Sequence, residues 1–181
     1  ARKPGGGGSV ARCMLDLLRT QGGVGCGMRA VEQQAHACSD KPGGRPSAAI
    51  ELPDGTIVTG KTGPLLGAAA SALLNALKRL AGIDQELNLV SAHAIEPIQT
   101  LKTQYLGSRN PRLHTDEILI ALSSSVTENA AAAAAMHQLP MLKGCDIHST
   151  VILSSVAPEP LKKLRMHLTC GPVSAAHGRK Y

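Results

Sequence analysis

Large aromatic residues are almost absent from this sequence. Phe and Trp do not occur among the 181 residues, and the large aromatic side chains are limited to Tyr105 and Tyr181. A hydrophobic core must therefore be built mainly from Leu, Ile, Val and Ala, without the area that aromatic rings contribute. The scarcity of rings also disfavours a surface that binds single-stranded nucleic acid, because such surfaces stack bases on aromatic side chains.

Excess positive charge is missing from the central part of the chain. The net charge of +6 divides into +4 for residues 1–46, 0 for residues 47–173 and +2 for residues 174–181. A basic surface that follows a phosphate backbone is expected on the folded part of a protein. We therefore predict no nucleic-acid partner.

Long apolar runs and paired cysteine motifs are also missing. No apolar run approaches the roughly 18 to 20 residues that a membrane span needs, and residues 1–9 lack the apolar segment of a signal peptide. The five cysteines have no C-x-x-C spacing, which is typical of neither a disulfide framework nor a zinc ribbon. These patterns predict a soluble, cytoplasmic protein without a membrane partner.

Glycine and proline divide the chain into three parts. They interrupt every helical pattern in residues 1–46, where Val10 to Thr20 and Met28 to Cys38 form at most two short helices. We expect this part to be a weakly helical lead-in. Residues 47–173 form the predicted compact domain, and residues 174–181 form a basic tail.

The compact part alternates strand and helix patterns. Ala48 to Leu52 and Thr56 to Thr59 predict a β-hairpin around Pro53-Asp54-Gly55. The fold class expected is α/β: a mixed β-sheet with this opening hairpin, covered by helices as a layered sandwich. The further predicted strands are Glu86–Ser91, Ile147–Ser154 and His167–Val173, and the predicted helices are Pro64–Ala81, Ile95–Leu106, Thr115–Val126, Asn129–Leu139 and Glu159–Met166.

Residues Gly55 to Thr62 (GTIVTGKT) match the phosphate-loop pattern G-x-x-x-x-G-K-[ST]. Its middle residues are β-branched and follow a turn, so we expect them to form the second hairpin strand. Lys61 and Thr62 remain candidate anion ligands if they precede the N-terminus of the predicted Pro64 helix. The structural alternative is that Thr62 caps this helix and Lys61 is solvated.

Two polar blocks, GSRNPRLHTDE (107–117) and GCDIHST (144–150), lie between apolar segments. Arg109 and Arg112 can each hold a carboxylate or phosphate, and Asn110 can adopt a left-handed conformation beside them. His114 is the candidate catalytic acid or base. A structural interpretation stays open for the end of the first block, in which Thr115 caps a helix and two carboxylates complement its dipole.

The same blocks contain potential metal ligands at H-x-D and C-x-x-H spacing: His114, Asp116, Cys145 and His148. Neither spacing is a specific signature, and a semi-buried histidine with a cysteine as apolar filler is the structural alternative. Cys145 with a histidine base is also a candidate nucleophile.

Six blocks connect these segments to a known family: AAIELPDGTIVTGKT, LLNALKRLAGI, IEPIQTLK, LGSRNPRLHTDEILIALS, QLPMLKGCDIHSTVILS and LTCGPV. In this order they resemble the C-terminal half of a bacterial family catalogued as domain of unknown function 1846, or uncharacterised protein family 0371. The resemblance implies an α/β fold and no agreed activity. It also implies an N-terminal Rossmann-like half with a glycine-rich loop able to hold phosphate, which this chain lacks.

The function expected is binding of a small anionic metabolite, phosphate-bearing or nucleotide-like, at a pocket lined by Lys61, Thr62, Arg109, Asn110, Arg112 and His114. No cofactor is identified, and the sequence does not decide whether the protein is an enzyme. The alternatives are a non-enzymatic homo-oligomerisation scaffold or a truncated remnant of a longer protein, and thirdly a metal-dependent hydrolase. A separately encoded Rossmann-like half is a further expected partner.

Overall fold

The computed structural model describes residues 29–40, 44–153 and 158–171. The predicted helix Val10 to Thr20 and the tail 174–181 lie outside the described residues. In chain order the elements are α1 (Ala30–Ser39), β1 (Ser47–Glu51), β2 (Ile57–Lys61), α2 (Ala68–Ala81), α3 (Ala92–Thr100), a π-helical turn (Leu101–Tyr105), α4 (Thr115–Ser125), α5 (Ala130–Met136), a 3-10 turn (Leu139–Leu142), β3 (Asp146–Ser149), α6 (Pro158–Lys163) and β4 (His167–Cys170).

The four strands form one mixed sheet in the order β2-β1-β3-β4. Strand β1 pairs antiparallel with β2 and with β3, whereas β3 and β4 are parallel. The hairpin turn has Gly55 at φ 80° and a hydrogen bond from Leu52 N to Thr56 O at 2.8 Å. The predicted α/β class, the opening hairpin and the mixed sheet are therefore confirmed.

Helices cover both faces of the sheet. On one face Val31 and Ala35 of α1 pack on Ala49 of β1, with Ile57 of β2 beside them. The other face carries the main core, which is built without aromatic rings: Ala48, Ile50 and Ile147 of the sheet, and Leu73, Leu77, Ile118 and Leu122 of helices α2 and α4. Helix α1 lies within the predicted lead-in, yet its Val31 and Ala35 are completely buried.

Helix α2 begins later than the sequence indicates. Its first residue is Ala68 and its N-cap is Gly67, so the prediction that it begins at Pro64 was wrong. Residues 63–67 form an irregular segment with a bend at Pro64 and Leu65 instead, and Leu66 forms a parallel β-bridge with Leu113. The helix ends as predicted at Gly82, whose φ of 66° places it in the left-handed region.

The segment after α2 also differs from the prediction. Glu86 to Ser91 is not a strand but an irregular connection, in which Leu89 and Val90 are buried. The Ser91 side chain accepts a hydrogen bond from Ala94 N and caps α3, so Pro97 lies inside the helix and not in its first turn. Strand β1 has the predicted length and β2 is one residue longer, whereas β3, β4, α4, α5 and α6 are shorter than predicted. No helix among the described residues is long and apolar enough to cross a membrane.

Candidate functional site

The two loops predicted to carry the site are joined to each other. Leu113 N donates to Leu65 O at 2.9 Å, and Gly67 N donates to Leu113 O at 3.1 Å. Nε of Arg112 donates to Gly63 O at 2.8 Å. The segment that follows β2 therefore contacts the loop that precedes α4, although almost fifty residues separate them in sequence.

A buried lysine fixes the second of these loops. Nζ of Lys102, from the π-helical turn, donates to Arg112 O at 2.6 Å and to Oε2 of Glu117 at 2.8 Å. The same Glu117 oxygen accepts from His114 N at 2.7 Å and closes a capping box at the start of α4. Lys102 was not among the residues predicted from the sequence, because a single lysine in an amphipathic helical pattern is normally solvated.

His114, not Thr115, is the N-cap of α4, and Thr115 is the first helical residue. Nδ2 of Asn110 lies 3.3 Å from Nε2 of His114, and Oδ1 of Asn110 accepts from Arg112 N at 3.2 Å. Asn110 therefore links the candidate acid or base to the backbone of its own loop. Asp116 lies in the first turn, where its charge complements the helix dipole as the structural alternative predicted.

A cleft of about 380 Å³ opens between α2, the end of β2 and the segment that leads into α3. This volume lies in the range of small-molecule sites, roughly 300 to 1,000 Å³. Of the residues that the structure describes, two cationic and no acidic side chains line it. The lining residues are Lys61, Leu65, Leu66, Ser71, Leu74, Asn75, Lys78, Asn88, Leu89, Val90, Ala92 and Ile95.

Lys78 is the most deeply buried charged residue of this cleft. It is only 7% exposed, and its Nζ donates to Gln85 O at 2.8 Å. Burial lowers the pKa of Lys78, and the negative charges of Glu86 and Asp84 act in the opposite direction. An anion in the cleft would compensate the charge of this partly dehydrated ammonium group.

The structure therefore separates the residues predicted to share one pocket. Lys61 lines the cleft, whereas Thr62, Arg109, Asn110, Arg112 and His114 do not. Arg109 and Arg112 are exposed. The loop that carries them borders the cleft indirectly, because Leu113 holds Leu65 and Leu66 in its wall.

The proposed metal ligands are not brought together either. Among the described residues, the only group of three or more potential ligands within reach of one ion is His114, Asp116 and Glu117. Glu117 already accepts from the Lys102 ammonium group, whose charge opposes a cation at this position. Cys145 and His148 do not belong to this group.

Cys145 and His148 contact different parts of the protein. Cys145 belongs to the main core, Sγ lies 3.6 Å from Met141 O, and burial raises the pKa of its thiol, with Asp146 and Glu51 acting in the same direction. A raised pKa disfavours the thiolate that a nucleophile needs. The interpretation of Cys145 as an apolar filler fits these contacts.

His148 lies on the sheet face that α1 covers. Its Nδ1 is 2.8 Å from Thr169 Oγ1, and its ring centroid is 5.2 Å from that of His36. Burial lowers the pKa of His148. His36 and Arg29 act in the same direction, and Glu32 and the backbone of Gly171 act against them. This histidine pair holds α1 on the sheet beside the ion pair of Arg29 with Asp146.

Comparison with known proteins gives one family. The model of "Domain of unknown function DUF1846, C-terminal" matches residues 27–178. A UPF0371 protein of Corynebacterium aurimucosum is 57% identical over 136 residues, which are 75% of this chain and 27% of the relative. The UPF0371 protein DIP2346 of Corynebacterium diphtheriae is 48% identical over 156 residues, 86% of this chain and 31% of the relative.

A relative from a second genus gives the same result. A UPF0371 protein of Streptococcus pneumoniae serotype 19F is 45% identical over 165 residues, which are 91% of this chain and 33% of the relative. The chain thus spans between a quarter and a third of the length of the relatives that it matches.

Proposed function

The chain belongs to the family of the domain of unknown function DUF1846, and we propose that it binds a small anionic metabolite, phosphate-bearing or nucleotide-like, in the cleft between Lys61 and Lys78. One observation carries this proposal. Two lysines from different elements, β2 and α2, line a cleft of ligand size, and none of the described residues that line it carries a carboxylate. An anionic group is the ligand that such a lining favours most.

The other lining residues favour a ligand with an apolar or planar part. Half of the twelve lining residues are leucine, valine or isoleucine. Nδ2 of Asn75 donates to Thr59 O at 2.9 Å, which leaves its Oδ1 as an acceptor for a hydroxyl or amino group. A phosphate attached to a base, sugar or short apolar group therefore matches both parts of the cleft.

The loop of residues 107–114 contributes by positioning. Arg112 and Leu113 bind the backbone of residues 63–67, and Leu65 and Leu66 of that segment form one wall of the cleft. Lys102 in turn holds the carbonyl of Arg112. Disorder in the loop would therefore widen the cleft without removing either lysine.

Titration calorimetry with inorganic phosphate and with adenosine 5′-monophosphate tests the proposal. Lys61→Met and Lys78→Met remove one charge each, and we expect each to weaken binding at least about tenfold, since a charge-assisted hydrogen bond contributes roughly 1.5 to 3 kcal/mol. Lys162→Met, which removes an exposed lysine from α6, is the matched control and should bind like the wild type.

Two results would contradict this site. One is a failure of both ligands to bind at about 10 mM, a concentration that would stabilise the fold if the dissociation constant were below it. The other is binding that Arg109→Ala abolishes while both lysine variants retain it, which would move the ligand to the exposed loop. Unfolding of each unliganded variant is measured in parallel, because Lys78 also binds Gln85 O.

A homo-oligomerisation scaffold is the second candidate function. Its support is a set of exposed apolar side chains on the π-helical turn and next to it: Leu101, Tyr105 and Leu106. Sedimentation of the purified chain distinguishes the two functions. A scaffold requires a dimer or larger species at micromolar concentration, whereas the ligand-binding function does not.

A further inference from the structure

The most unusual surface of the molecule surrounds Tyr105. It is the only Phe, Tyr or Trp residue among the described residues, and 77% of it is exposed although the core contains no aromatic ring. Leu106 is 71% exposed and Leu101 is 50% exposed. Apolar area of this kind is normally buried, because its contact with water is unfavourable.

The backbone places these three side chains together. Leu106 N donates to Leu101 O at 3.0 Å, which is the i to i+5 bond of a π-helix and sets Leu101 and Leu106 one turn apart. Tyr105 precedes Leu106 on that turn. π-helical turns cost stability and occur frequently at functional positions. We name Leu101, Tyr105, Leu106, Arg109 and Arg112 the Tyr105 surface.

We take Arg109 and Arg112 as the cationic rim of the Tyr105 surface, because both follow the π-helical turn in the chain and Nζ of Lys102 on that turn binds Arg112 O. Arg109 is exposed, and Arg112 uses only its Nε within the described part of the chain, for the bond to Gly63 O. Their terminal guanidinium nitrogens are available to a partner. Tyrosine and arginine are the residue types that contribute most often to the energetic centres of protein interfaces.

The relatives contain a region, outside the part that this chain matches, that is large enough to cover the Tyr105 surface. The matched region is the C-terminal domain of the family. Two thirds or more of each reported relative lies outside this matched region. We propose that the Tyr105 surface docks on this remaining region of the family protein, on a face with an apolar centre and carboxylates around it. This proposal does not depend on the ligand of the Lys61 and Lys78 cleft.

A second copy of the chain fits the surface less well. In a two-fold dimer each surface meets its own counterpart, so that Arg109 and Arg112 of both copies would be brought together. Like charges at an interface oppose association. An acidic rim on a different polypeptide instead pairs with both guanidinium groups.

The absence of tryptophan provides a direct test. The Tyr105→Trp variant of the full chain carries one tryptophan, whose emission and quenching by acrylamide report contact at the surface. The region of the Corynebacterium aurimucosum relative outside its match to this chain is titrated into this variant. We expect a saturable loss of quenching, and binding that weakens at high salt because the charges of the rim are screened.

Variants then assign the contact. Leu106→Ser and Arg109→Glu, made in the Tyr105→Trp chain, should each weaken binding at least tenfold. Ile120→Ser is the matched control, since Ile120 is similarly exposed at 64% but lies on α4 outside the surface. It should bind with unchanged affinity.

A fusion protein keeps the test decisive if the separate region does not fold. The same region is joined ahead of the Tyr105→Trp chain, so that its effective concentration at the surface is on the order of millimolar. Tryptophan that stays fully quenchable in a folded fusion would overturn the proposal. So would equal loss of binding in the Ile120→Ser variant, or self-association that shields the tryptophan in the chain alone.

Discussion

Gly60 of β2 lies against the backbone of Ala72 in α2: a Cβ atom built on Gly60 would stand 2.1 Å from Ala72 N. The helix and the strand approach this closely because no side chain separates them. In the sequence Gly60 is the glycine of the phosphate-loop pattern GKT. Its role in the fold is helix packing, because Ile57–Lys61 is a strand and the next helix starts only at Ala68.

Gly60→Ala should therefore destabilise the protein strongly. The added methyl group clashes with backbone atoms, which cannot rotate away, so the helix must shift. We expect a loss of about 3 kcal/mol in the free energy of unfolding, at the upper end of typical overpacking. Urea unfolding measures it, and Gly63→Ala is the control because a Cβ there meets nothing within 4 Å. Equal stability of the two variants would contradict the close packing.

Lys102→Met should loosen the loop of residues 107–114. It removes the ammonium group that binds Arg112 O and Glu117, and leaves the Glu117 carboxylate partly buried with one fewer partner. We expect a loss of about 3 kcal/mol, as for other buried ion pairs that lose one member. Hydrogen exchange should also accelerate at the start of α4.

The matched control for Lys102 is Lys162→Met. Lys162 forms an exposed ion pair with Glu159, and its removal should change stability by less than about 0.5 kcal/mol. If urea unfolding shows the same small effect for both variants, the buried contacts of Lys102 do not hold the loop.

His148 should make stability depend on pH. Burial holds its pKa in the folded state below the ordinary value of 6.5, so the unfolded state binds the proton more readily. The contribution of His148 is therefore fully present above that value and is lost as the pH falls through the folded-state pKa. Acidification should weaken the contact of α1 with the sheet, where His36 faces His148.

His148→Gln should flatten this dependence. Urea unfolding at about pH 7.5 and about pH 5.5 gives the stability difference for each variant. We expect this stability difference to be smaller for His148→Gln than for the wild type. The control is His93→Gln, which changes an exposed histidine of α3 and should leave the difference as in the wild type. If His148→Gln shows the same stability difference between the two pH values as the wild type, the pH dependence comes from other groups.

Local patterns were sufficient where neighbouring residues decide the conformation. Pro53-Asp54-Gly55 predicted the hairpin, and Gly82 predicted the end of α2, because each depends on backbone conformations that few residue types adopt. The prediction failed for Glu86 to Ser91, where Leu89 and Val90 are buried in the main core without pairing to a strand and Leu87 is exposed.

The candidate site, like the fold, could be predicted from the sequence only in part. Arg112 and Leu113 contact the segment after β2, although neither Arg109 nor Arg112 lines the cleft. However, Lys78 and the cleft that it lines could not be predicted, because a lysine near the end of an amphipathic helix has the sequence pattern of a solvated residue. Its burial follows from the path of residues 84–90, which have no regular structure of their own.

Composition, periodicity and long ordered blocks of identity were enough to predict the fold class, the hairpin, the aromatic-free core and the family. The sequence could not show which cations share a cleft, which loop residues only position its wall, or that the single described tyrosine faces solvent. Those outcomes depend on where distant segments meet, and a packing contact between residues far apart in sequence leaves no periodic pattern in the chain.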